Sequence, residues 1–185
     1  MVWAMQPAWT PTPEDHERFM GQAIQSAREA ADEGEVPVGA LIVRHGRVVA
    51  KAHNQVEMLK DPTAHAEILA ITQAASEAGG WRLSDHVLYV TKEPCPMCAG
   101  AIVLARLPLV VWGMTDPLRG GAVSKFHILQ HGDLNHQAAF VAGVRGEECE
   151  TIMKEFFRHL RNHELHNSTS HSAMPLDHTL TLPEA

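Results

Sequence analysis

Two short words, His65-Ala66-Glu67 and Pro94-Cys95-Pro96-Met97-Cys98, stand about thirty residues apart, each at the start of a helical pattern. Together they supply one imidazole and two thiols of the kind that bind zinc, so any fold open to this chain has to bring two helix N-termini to one point. Zinc held by an imidazole and two thiolates keeps a fourth tetrahedral position for water, whereas a structural site fills all four positions with protein atoms. A metal held in that way lowers the pKa of its water toward neutrality and so provides a nucleophile. Glu67 lies two residues from His65, a spacing that on a regular helix sends the side chains to different sides. It is therefore read as a proton carrier, not as a further ligand.

Local signals explain how the cysteines would ionise. Pro94 and Pro96 bracket Cys95, and proline suits the first helical turn, so Cys95 is expected to cap a helix that begins at Pro96. Unpaired N–H groups and the positive dipole end at that start favour thiolate over thiol. Asp61-Pro62-Thr63 supplies a comparable cap and first turn ahead of His65. On the cysteines alone, a redox CxxC or half of a structural zinc site competes, and His-x-Glu at a second helix start tells against both. Cys149 could in principle close a structural site as a fourth ligand. Its place in the apolar stripe of the last helix favours a buried core thiol.

Residues 14–33 carry Phe19, Met20, Ala23, Ile24, Ala27 and Ala31 at three- and four-residue spacing, an amphipathic helix ended by Gly34. Val38 to Val43 and Arg47 to Asn54 are β-rich runs joined by Arg44-His45-Gly46, a hairpin signal. Asn54 then closes a strand and faces the next helix, residues 63–78, which Gly79-Gly80 stops. His86 to Thr91 reads as a buried strand, Pro96 to Arg106 as the cysteine helix, Leu109 to Gly113 as another strand and Phe140 to Val144 as a fifth. A final helix over 146–161 sets Cys149, Ile152, Met153, Phe156, Phe157 and Leu160 on one side. Strands alternating with helices imply an α/β fold with a largely parallel sheet, helices on both faces, and ligands at the carboxyl ends of the strands. Both motifs fall there, beside a glycine-rich, basic loop from Met114 to about His127. Trp81 and Trp112 read as core, as do Phe156 and Phe157.

The chain has 185 residues and 45% hydrophobic content, enough for one core of ordinary size. The organisation expected is an extended, proline-containing arm over 1–13, one domain over 14–161 and a polar, disordered tail over 162–185. Histidines 163, 166, 171 and 178 read as part of that tail. Three cysteines, two of them assigned to metal, suit a reducing cytoplasm. No long apolar run is present, so neither a secretory leader nor a membrane span is expected. The net charge of −7 weighs against a nucleic-acid substrate, but residues 81–136 hold five basic and four acidic side chains and are the least acidic stretch. Arg106, Arg119, Lys125, Arg158 and Arg161 are the candidates for phosphate contact.

The H-x-E and P-C-x-x-C pair resembles the cytidine and deoxycytidylate deaminase superfamily. Within it, Glu35-Val36-Pro37-Val38-Gly39-Ala40, Asn54, Asp61 through Glu67, Leu88-Tyr89-Val90-Thr91 and Glu93 through Ala101 are most similar to the bacterial tRNA-specific adenosine deaminases, over roughly residues 14 to 161. The resemblance implies a cytidine deaminase-like fold: three α/β/α layers around a mixed, largely parallel five-stranded sheet. It implies one zinc ion per chain on His65, Cys95 and Cys98, proton shuttling by Glu67, and hydrolytic deamination of the wobble adenosine, position 34, to inosine. It also implies a tRNA anticodon stem-loop as partner and a homodimer. Asn54 would hydrogen-bond the base or its ribose, and Asp116 would touch the RNA beside the flipped base; Ala66 and Arg119 are read from their positions as further substrate contacts. The chain departs from the family pattern in Pro117-Leu118-Arg119-Gly120-Gly121-Ala122 and in having Lys92 where leucine is common. The alternative is a deaminase of a free base or nucleoside, guanine or cytosine.

Overall fold

The computed structural model describes residues 9–170. Its first helix, α1 (Pro13–Asp32), starts on a complete capping box in which Thr12 and Asp15 bond each other's backbone N–H, with Pro13 at the first helical position. Strands β1 (Gly39–Arg44) and β2 (Arg47–His53) form the expected hairpin. His45 and Gly46 both have positive φ, 48° and 75°, the backbone of a type I′ turn whose twist matches that of paired strands.

A short helix, α2 (Val56–Leu59), precedes α3 (Ala66–Glu77), β3 (His86–Lys92), α4 (Pro96–Leu104) and β4 (Leu109–Met114). A 3₁₀ turn over Ile128–Gln130, β5 (Ala139–Ala142) and α5 (Gly146–Ser170) complete the chain. Helix α3 begins later than the sequence signals imply. Asp61 Oδ1 accepts from the amide and hydroxyl of Thr63, 2.8 and 2.7 Å, and is used up in that turn instead of capping the helix. His65 itself occupies the cap position. Helix α5 runs through Ser170, so the part of the expected tail from residue 162 to that point is helical; residues 1–8 of the arm and 171–185 lie outside the described residues.

The sheet order is β2-β1-β3-β4-β5. Strand β1 is antiparallel to both neighbours, and β3, β4 and β5 pair in parallel. Four of the five strands therefore run in one direction with β1 reversed among them, which is the mixed, largely parallel sheet expected. Alternate residues of the central strands go to opposite layers. Ala40, Ile42, Leu88, Val90, Val110 and Trp112 pack with α3 and α4, whereas Leu41, Val43, Val87, Tyr89 and Val111 pack with α1 and α5. Strands buried on both faces read as continuous apolar runs, and each buried Val, Leu or Ile side chain contributes roughly 1.5–3 kcal/mol by leaving water.

Trp112 is fully buried and stacks on Phe140 at 5.1 Å. Trp81 is 53% exposed, contrary to its reading as core, because it follows the glycines that end α3 and lies on the outer side of the helical layer under the Arg82 guanidinium. On α5, Cys149 and Met153 are buried but Phe157 and Leu160 are exposed. The apolar stripe of that helix outruns the sheet it packs on.

Candidate active site

Because β2, β3 and β4 share a direction, their carboxyl ends meet on one edge of the sheet. Asn54 follows β2, Cys95 and Cys98 follow β3, Asp116 follows β4, and His65 leads into α3 on the same edge. His65 and Cys95 are the cap residues of α3 and α4, and neither side chain makes a capping hydrogen bond. Both are left to face each other: His65 Nδ1 is 3.6 Å from Cys95 Sγ and 3.5 Å from Cys98 Sγ. Among the described residues these three form the one group of metal-ligand side chains, with donor atoms all within 4.8 Å.

The donor set fits zinc. Bonds of about 2.0–2.1 Å to nitrogen and 2.3 Å to sulfur at tetrahedral angles put nitrogen and sulfur about 3.6 Å apart. The two measured separations match, although the residues come from different helices. The Cys98 thiol bonds the Cys95 sulfur and holds the pKa of Cys95 down to about 4, while the same contact and burial push that of Cys98 up. A dication makes both thiolates.

Glu67, 4% exposed, is outside the ligand group. Burial pushes its carboxyl above the usual range, and a hydrogen bond with Cys98 places it against the cluster. It can therefore carry a proton without clasping the metal. Cys149 is excluded as a fourth ligand: it packs on Gly113 in the α1/α5 layer, across the sheet, with its thiol pushed up to about 11 by burial.

The residues named for substrate contact are at the same edge. Asn54 is buried and donates through Nδ2 to Glu35 Oε2 at 3.0 Å; Glu35 in turn accepts from the Met58 amide at 2.8 Å. Ala66 is buried in the first turn of α3. Asp116 is engaged within the chain: Oδ1 accepts from the amides of Leu118 and Arg119, 3.1 and 3.0 Å, and Oδ2 pairs with Lys92. Arg119 and Lys125 are exposed on the same loop. Arg106 is tied to Asn135 at 2.5 Å and to Val103 O, and Arg158 lies 4.0 Å from Glu155 on α5. Sequence reasoning passed over two buried acids, Glu35 and Glu93. The available signal was a glutamate set directly against an apolar, proline-bearing run in each case.

A His-x-Glu helix start and a Pro-Cys-x-x-Cys helix start closing on one point at the carboxyl edge of this sheet define a deaminase. The model of the MafB19-like deaminases matches residues 14–161. The tRNA-specific adenosine deaminase of Bacillus subtilis is 48% identical over 78% of this chain and 90% of its own length. A structure solved in a study of A-to-I editing by tRNA:A34 deaminases at the wobble position of transfer RNA superposes with a TM-score of 0.71 at 39% identity, over 73% of this chain and 98% of the other. The guanine deaminase of Bacillus subtilis is 42% identical with a TM-score of 0.52, over 54% of this chain and 64% of that one. The chain belongs to the family of tRNA-specific adenosine deaminases.

Proposed function

We propose that this protein deaminates adenosine 34 of a tRNA anticodon to inosine, adding water, releasing ammonia and using one zinc ion on His65, Cys95 and Cys98. The observation that carries the reading is the closure of those three donors from two helix starts, with a buried, non-ligating Glu67 beside them, in a chain so similar to adenosine-34 deaminases. Zinc held there supplies an acidified water as nucleophile near neutral pH. Glu67 takes a proton from the attacking water and delivers it to N1 of the purine, then takes the second proton from the hydroxyl formed at C6 and delivers it to the amino group, so that the C6–N bond breaks, ammonia leaves and the C6 carbonyl of inosine remains. Asn54, fixed by Glu35, hydrogen-bonds the base or its ribose, Ala66 lines the pocket, and Asp116 and Arg119 meet the flanking RNA. A base turned out of an anticodon loop is read by shape and edges, which is compatible with a net charge of −7. The enzyme works in the cytoplasm, where its substrate and a reducing environment for two thiolates are found.

Incubation with an anticodon stem-loop bearing adenosine at position 34 is the test. Inosine should accumulate, and free guanine should not be turned over. Guanine turnover without inosine would replace this reading with that of a free-base deaminase.

The protein acts as a homodimer. Ile68, Ile71, Trp81, Ala101 and Leu104 line an apolar groove on the outer side of α3 and α4, with Leu104 69% exposed. A surface of that kind is characteristic of an interface. A second copy covers it in solution, so Leu104→Glu should convert the dimer to a monomer in sedimentation at micromolar concentration. A wild-type protein that sediments as a monomer there would refute the dimer.

A further inference from the structure

Glu93 is the residue between the end of β3 and Pro94, and it is 1% exposed. Its carboxylate reaches across to a loop more than twenty residues downstream. Oε1 accepts from the amides of Val123 and Ser124 at 3.0 and 2.8 Å; Oε2 accepts from the amide of Asp116 at 3.0 Å and the hydroxyl of Ser124 at 2.5 Å. Four donors from one loop thus converge on one buried carboxylate, and bonds to an ionised acceptor are about twice as strong as neutral ones. Its own amide donates to Met114 O at 2.8 Å, so both ends of the residue hold the same downstream segment.

Packing around this contact allows no slack. A Cβ on Gly120 would lie 2.5 Å from the Glu93 carboxylate oxygens, and one on Gly121 would lie 2.5 Å from the Cys95 carbonyl carbon. The amides of Gly121 and Ala122 also donate to Pro94 O, 2.7 and 3.2 Å. The two consecutive glycines let the loop lie directly on the turn that carries Cys95. No ligand or substrate atom needs to touch Glu93 for it to set where that loop lies.

We propose that Glu93 is a positioning residue for the RNA substrate: it ties the 116–124 loop to the cysteine turn, so that Asp116 and Arg119 stand at a fixed distance from the reacting base. The proposal rests on the RNA reading above. It acts through the Asp116 backbone, and its effect belongs to binding more than to the chemical step.

Glu93→Gln separates these roles. An amide keeps one acceptor oxygen, and that oxygen is best seated at Oε1, where two backbone N–H groups would otherwise lose their partner. The NH₂ then faces the Asp116 amide, donor against donor, while the Ser124 hydroxyl can turn and accept from it. One bond is lost, and it is the one to Asp116. Amide hydrogen exchange at Asp116 should therefore rise by about tenfold or more, with Val123 and Ser124 changed by less than about threefold. The KM for the anticodon stem-loop should rise about tenfold, with kcat within about threefold and zinc still one per chain. Ser124→Ala, a milder change that removes a single donor, should show the same split at about two- to fivefold in KM.

Unchanged exchange at Asp116, or a fall in kcat at constant KM, or loss of zinc in Glu93→Gln would overturn the proposal. Should the wild-type protein fail to act on RNA at all, the function assigned above fails, and the exchange measurement still decides whether Glu93 holds Asp116.

Discussion

Glu67→Gln should lower the rate of inosine formation by about 10⁴-fold, at the upper end of what positioned acid–base groups contribute. The upper end applies because, in the reaction proposed above, one carboxyl carries both protons, the first from the water to the ring nitrogen and the second from the C6 hydroxyl to the leaving amine. An amide has the same shape and can do none of these. Zinc should remain at one per chain, since Glu67 is outside the donor group and touches it through a hydrogen bond with Cys98. The melting temperature should hold or rise, because an ionisable group that is 4% exposed carries a desolvation cost that the amide does not. KM for the stem-loop should stay within a few fold. This pattern separates a proton carrier from a fold determinant; activity within tenfold of wild type would remove Glu67 from the reaction.

The parts of this architecture written locally were legible in the sequence. Pro96 after Cys95 marks a helix start whatever surrounds it, and the runs at Val87–Val90 and Val110–Trp112 are apolar because both faces are covered. What depended on distant partners was not. Asp61 has the side chain of a helix cap, and only the turn made with Thr63 shows that its oxygen is already taken. Trp81 and Leu160 have the composition of core residues, but whether a sheet lies beneath them is a property of the assembled layers. The place of β1 between β2 and β3 is set by its pairing with β3 across β2, α2 and α3. The same holds in the site. Its ligand-type residues could be named from spacing, whereas the Lys92 partner of Asp116 and the four donors gathered by Glu93 come from chain segments more than twenty residues away.

Removing a metal ligand is expected to have the other large effect, and of a different kind from Glu67→Gln. Cys98 is fully buried, with its sulfur 3.5 Å from His65 Nδ1, so Cys98→Ala leaves two donors and no neighbouring side chain in the donor group to replace the third. Losing even an outer partner of a ligand costs roughly 10–100-fold in metal affinity, and losing a ligand must cost more. Zinc should fall well below one per chain in the purified variant, and inosine formation should be undetectable. The melting temperature should fall too, because an ion that binds the folded state and not the unfolded one stabilises it in proportion to the logarithm of its concentration over Kd. Exhaustive chelation of the wild-type protein should lower the melting temperature in the same way, and added zinc should restore it; neither treatment should move Cys98→Ala. Cys149→Ala is the control, since that thiol lies across the sheet and its loss should leave zinc at one per chain. If Cys149→Ala released the metal and Cys98→Ala retained it, the centre at the helix starts would not be the zinc site. If Cys98→Ala lost zinc yet kept full activity, the site would hold metal without using it.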